Sequence, residues 1–131
     1  MQSNLVKLVK KAPADVQDFL PSTLRIASLL SDHKALDVRA YDVRELTLIA
    51  DSFVICSAGS EPQMRAMYNA VVDGMREVGN KPLHVEGTQA AGWIVVDFGT
   101  VILHLFRKEA RTFYDLDGLW GDAPSIDLDL D

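Results

Sequence analysis

The chain has 131 residues, of which 48% are hydrophobic and 24% charged, enough for one domain with its own core. No apolar run exceeds strand length, which excludes a membrane-spanning helix. The net charge of −6 argues against direct nucleic-acid binding, which draws affinity from Lys and Arg on phosphates, and the single cysteine excludes an internal disulfide and a thiolate metal cluster.

The charge is uneven. Six of the 19 acidic residues lie from Asp115 onward, and no Lys or Arg follows Arg111. Residues 1–114 carry 13 acids and 13 bases and are neutral. A neutral body with an acidic tail suits a basic protein surface, although such a tail also serves solubility alone. The start of the chain has no apolar core and cleavage site of a secretory signal, so secretion is not expected. LVKLVKK is basic but lacks Arg and makes a poor transit peptide.

Residues 1–20 read as an N-terminal extension with weak amphipathic character, interrupted by Pro13 and Pro21. A helix is expected from about Ser22 to His33, with Leu24, Ala27 and Leu30 on one side. Leu36–Val43 follows as a strand near an edge, because Arg39 and Asp42 interrupt its alternation. Phe53–Ala58 is apolar without a break and reads as a central strand, with Cys56 a small buried hydrophobe inside it. Ser60, Pro62 and Gln63 form a helix start of capping-box type. Met64, Met67, Val71, Met75 and Val78 then make an apolar stripe that Gly79 ends. A third strand is expected at Pro82–Glu86, with Leu83 and Val85 inward.

GWIVVDFGTVILHLF reads as two strands joined at Gly99-Thr100, where glycine supplies the positive φ of a tight hairpin turn. That turn pairs Phe98 with Val101, Val96 with Leu103 and Ile94 with Leu105, an apolar face suited to a core. The opposite face carries Trp93, Val95, Asp97, Ile102, His104 and Phe106. Its polar groups are costly to bury without partners, so either a helix or another molecule must cover it. The last element, Glu109 to about Trp120, is a short helix or a pair of turns. Arg111 and Tyr114 share one side of it and border the mixed face, while Trp120 is expected in the core. A helix between the second and third strands permits a parallel pairing, whereas the hairpin is antiparallel. The expected fold is therefore α/β (α+β): a mixed five-stranded sheet flanked by helices.

Three chemistries find partial support in these residues. A strand ending in Gly59-Ser60 at a helix start is similar to the triphosphate site of nucleotidyltransferases. Those enzymes also need a carboxylate pair for magnesium, and the next strand offers Glu86 alone. Asp97 and His104 are diagonal neighbours across the hairpin, but no nucleophile joins them. His33, His84 and His104 have no metal-ligand spacing, so neither metal nor cofactor is expected. What remains is an interaction surface: Trp, Tyr and Arg dominate interface hot spots, and Trp93, Phe106, Arg111 and Tyr114 gather at the mixed face.

DSFVICSAGS, HVEG, GWIVVDFGTVILHLF and RTFYDLDGLW, in that order and spacing, resemble the ribosomal silencing factor family, also called RsfS or Iojap. The resemblance covers about residues 22–121. It implies a nucleotidyltransferase-like fold without the catalytic carboxylates, and a protein that is not an enzyme. It implies binding to the large ribosomal subunit through its fourteenth protein, a block on joining of the small subunit, and repression of translation in the bacterial cytoplasm. No membrane and no direct nucleic-acid contact is implied. Carried over by motif, the contact residues are Trp93, Asp97, Phe98, His104, Phe106, Arg111 and Tyr114. The same face, free of its partner, suits a homodimer. The domain then spans 21–121, with residues 1–20 and the acidic tail 122–131 as extensions. The alternative is a divergent nucleotide-binding enzyme using Gly59, Ser60 and Glu86.

Overall fold

In the computed structural model, described for residues 16–128 and 130, five strands form one sheet. They are β1 Leu36–Asp42, β2 Ser52–Ala58, β3 His84–Thr88, β4 Trp93–Asp97 and β5 Val101–Arg107. Their spatial order is β1-β2-β5-β4-β3, and only β2 and β5 run parallel. The sheet is mixed, as expected, but the parallel pairing does not involve the strand that follows the helix. Composition explains the difference. Every residue of β2 and six of seven in β5 are buried, so these two take the centre. The segment around β3 carries His84, Glu86 and Gly87 and goes to the far edge.

Among the described residues, two helices cover one face. α1 spans Val16–Asp32 and α2 spans Glu61–Glu77. Phe19, Ile26 and Leu30 of α1 meet Met64, Met67, Val71 and Met75 of α2 over Val54, Cys56, Ile94, Val96, Leu103 and Leu105 of the sheet. The methionine stripe is thus core, as its spacing predicts. Burial pushes the Cys56 thiol up to about 12, which keeps it protonated. Gly74 lets the helices approach closely: a Cβ there would lie 2.6 Å from Leu29 Cδ1, and Arg25 donates to the Gly74 carbonyl at 2.9 Å.

α1 corrects the expectation of a helix starting at Ser22, because it already runs through Val16–Pro21. Pro21 sits inside it on an exposed position, and Thr23 Oγ1 donates to the Phe19 carbonyl at 3.0 Å. Burial of Phe19 outweighs the local penalty of the proline. β3 is a second correction. It starts two residues late, all five of its residues are exposed, and Leu83, 73% exposed, points away from the core. Neither helix reaches the edge where β3 lies. The N-terminal extension up to residue 15 and residues 129 and 131 lie outside the described residues.

The hairpin has the register that the turn dictates. Ile94 faces Leu105, Val96 faces Leu103, and the Phe98 N–H donates to the Val101 carbonyl at 2.9 Å. Gly99 adopts φ +93. The opposite face of the sheet is covered from the C-terminal side by α3 Lys108–Tyr114 and α4 Leu116–Leu119. Leu116 and Ala123 close over Tyr41, Val43, Phe53, Ile55, Ile102 and Phe106. The chain's own end therefore covers most of the mixed face.

Candidate functional site

The mixed face holds a chain of aromatic rings running from the interior to the surface. Trp120 meets Phe53 edge-on at 4.9 Å, and Phe53 meets His104 at 5.0 Å. Trp93 lies directly across the hairpin from Phe106 and stacks on it at 4.9 Å. Tyr114, brought in by α3, sits 4.7 Å from Trp93, and Phe113 sits 5.1 Å from Tyr114. Exposure rises from Phe106 outward. Phe106 is fully buried, Trp93 half-buried, Tyr114 48% exposed and Phe113 80% exposed. Leu119 on α4 is exposed as well. Aromatic pairs of this kind hold one another in place beyond simple burial, so the exposed rings rest on a rigid support.

Trp93 Nε1 donates to His104 Nδ1 at 3.3 Å, which places the ring proton on Nε2, a buried atom without a partner among the described residues. Burial lowers the His104 pKa to about 4, so the ring is neutral at pH 7. His104 is thus part of the support and makes no hydrogen bond to Asp97. The Asp97 carboxylate instead accepts from the Gly99 N–H at 2.7 Å and fixes the hairpin turn. The acid–base pairing of these two is not formed.

Arg111 is buried beneath α3 and holds four elements together. Its Nε donates to Asp117 Oδ2 at 2.9 Å and one terminal nitrogen to Asp117 Oδ1 at 3.2 Å, a two-pronged contact. The other terminal nitrogen donates to Ser57 Oγ at 3.0 Å and to the Asp37 carbonyl at 2.7 Å. Asp37 has φ +48 at an irregularity in β1, and that carbonyl is the one Arg111 holds. Tyr41 completes the network by donating to Asp117 Oδ1 at 2.9 Å. Burial alone would raise the Asp117 pKa, but Arg111 and Tyr41 outweigh it and hold the group below its usual value. Burial and Asp117 together raise Tyr41, which stays protonated.

Of the seven residues carried over by motif, the structure gathers Trp93, His104, Phe106 and Tyr114 in one cluster, with Arg111 bracing α3 from below. Phe98 lies on the other face, in the core under the two long helices, and Asp97 stands at the turn. Sequence reasoning missed Phe113, Leu119, Asp117 and Tyr41. The Phe113-Tyr114 doublet was a signal for the first. Nothing local marks the others.

The Gly59-Ser60 turn does not meet Glu86. β2 and β3 are separated by β5 and β4, three strand spacings or roughly 14 Å. Ser60 Oγ accepts from the Gln63 N–H, and Gln63 Oε1 accepts from the Gly59 N–H at 2.7 Å, so the helix start is capped by its own side chains.

Comparison with known proteins places the chain in a family. Residues 16–131 match the family model "Ribosomal silencing factor during starvation". The ribosomal silencing factor RsfS of Bacillus subtilis is 41% identical over 110 residues, covering 83% of this chain and 93% of that protein. The chloroplastic protein Iojap of Zea mays is 32% identical over 89% of this chain and 51% of its own length. Among solved structures, a protein from Bacillus halodurans superimposes with a TM-score of 0.70 at 31% identity, covering 85% of this chain and 98% of that one. One from Chromobacterium violaceum gives 0.73 at 27% identity, covering 82% and 88%. The chain belongs to the ribosomal silencing factor (RsfS) family.

Proposed function

We propose that this protein binds the large ribosomal subunit through its fourteenth protein, blocks joining of the small subunit and so represses translation in the bacterial cytoplasm. The observation that supports this reading best is the exposed end of the ring chain, Trp93, Tyr114 and Phe113, resting on buried Phe106 and His104. Rigid aromatics with little rotamer entropy to lose are the residue types that anchor protein interfaces. Contact is made by Trp93, Tyr114 and Phe113, with Asp97 at the hairpin tip. Phe106, His104 and Arg111 hold the surface in shape, and Phe98 supports the hairpin from behind. The neutral-to-acidic charge suits a basic ribosomal protein better than exposed RNA.

Equilibrium binding to purified large subunits tests this. Tyr114→Ala and Trp93→Ala are each expected to weaken binding by about 2 kcal/mol, with the fold intact by circular dichroism. Unchanged affinity in both variants would remove the site from this face. The same patch is proposed as the contact of a homodimer when no ribosome is present. Sedimentation across a concentration series checks that, with Tyr114→Ala expected to favour the monomer.

A further inference from the structure

Both edges of the sheet raise the question of what stops further strands from adding. β3 is short, kinked at Gly87 and carries Glu86. β1 is different, because the chain's own C-terminal segment covers it. Ser125 lies opposite Tyr41 in antiparallel fashion. The Asp42 N–H donates to the Pro124 carbonyl at 2.8 Å, and the Ile126 N–H donates to the Ala40 carbonyl at 2.8 Å. Ala123 enters the core on one face, and Ile126 and Leu128 pack against the core on the other. A cavity of about 370 Å³ lies along strap and strand, lined by Val38, Arg39 and Ala40 of β1 and by Ser125, Ile126 and Asp127 among others. Among the described residues the strap is thus tied to β1 by two backbone hydrogen bonds and by the packing of Ala123, Ile126 and Leu128.

Its chemistry keeps it short. Pro124 accepts from Asp42 but has no N–H to return to the Asp42 carbonyl, so the ladder cannot continue at that end. A strand without proline at that place makes one bond more. We propose that the outer edge of β1 is a strand-addition surface that the strap occupies in the single chain, and that a second copy of this chain takes its place when the strap opens. The copy fits by its own pattern. Ala40 and Asp42 present their backbone groups outward, so antiparallel β1–β1 pairing about Ala40 uses them on both copies. That register sets Arg39 of one copy opposite Tyr41 of the other and brings no like charges face to face. The strap is then a guard against edge-to-edge assembly, and its release is a route to a ten-stranded sheet. This inference does not rest on the ribosomal reading.

The test uses the full chain with two neighbouring prolines. Ile126→Pro removes the N–H that reaches Ala40, whereas the Ser125 N–H points away from β1, so Ser125→Pro leaves both strap bonds in place. Each is made in the wild-type and the Tyr114→Ala background, so that pairing through the aromatic face does not contribute. Ile126→Pro is expected to tighten self-association by about tenfold or more in sedimentation, and Ser125→Pro to leave it unchanged. Equal behaviour of the two folded variants, in either direction, overturns the proposal. Should Ile126→Pro fail to fold, amide exchange in the wild-type chain decides. The Asp42 and Ile126 amides are expected to exchange together and faster than those of β2 and β5. Exchange of that pair only with global unfolding overturns the strap as a separately opening element.

Discussion

His104 shows how much one buried side chain can report. Its ring is neutral because burial lowers its pKa to about 4, and it accepts from Trp93 through Nδ1. Protonation is therefore resisted in the folded state and free in the unfolded one. Stability is complete above pH 6.5, falls as the pH drops, and has lost this contribution near pH 4. The loss amounts to about 3 kcal/mol at most. Asp117, held below its ordinary value, titrates below that window. Urea unfolding between pH 7 and 4 should show the slope, and His104→Gln, which keeps an acceptor but does not titrate here, should flatten it. Arg111 makes a second prediction at this scale. Removing one member of a buried ion pair strands the other, so Arg111→Ala is expected to cost about 3–5 kcal/mol in chemical denaturation. Arg111→Lys should restore only part of that, because a single ammonium cannot reproduce the two-pronged contact with Asp117. The Trp93–Phe106 pair was legible in the sequence, since a two-residue turn fixes which residues face each other. The Arg111 network was not, because Ser57 and Asp37 come from 54 and 74 residues away and only the folded sheet brings them in.

Among the elements, those with strong local signals came out as their residues dictate. α2 begins at the Ser60 cap, and its methionine stripe faces the sheet. The cap does more than its sequence motif suggests. Gln63 Oε1 accepts from Gly59, and its Nε2 donates to the Lys34 carbonyl at 2.9 Å, so one side chain joins the start of α2 to the end of α1. Ser60→Ala is expected to cost about 1 kcal/mol. Gln63→Ala should cost more than a cap alone, and thermal unfolding of the single and double variants measures the coupling. At the other edge, Gly87 has φ +89, and a Cβ there would lie 2.0 Å from the Trp93 carbonyl oxygen. Gly87→Ala should loosen β3 from β4, seen as lost amide protection in β3 with the centre of the sheet unaffected. The elements misread in the sequence are those where local propensity lost to tertiary packing. Pro21 sits in a helix because Phe19 is buried beside it, and Leu83 points to solvent because neither long helix extends over β3.

For the molecule as a whole, an apolar two-helix layer fixes the sheet on one side, and the segment 108–123 closes the other. The question posed by the mixed hairpin face has a divided answer. α3 and α4 cover most of it, and the rim of rings from Trp93 to Phe113 reaches the surface. That division was not readable beforehand, because burial of Phe106 and exposure of Phe113 depend on where α3 docks. The family relationship gives the rim its proposed partner. The most direct measurement is subunit joining in sucrose gradients, with purified large and small subunits, with and without this protein. The protein is expected to travel with the large subunit and to lower the joined-ribosome peak, and Tyr114→Ala to restore that peak. A protein that stays at the top of the gradient while joining proceeds unchanged would contradict the proposed function.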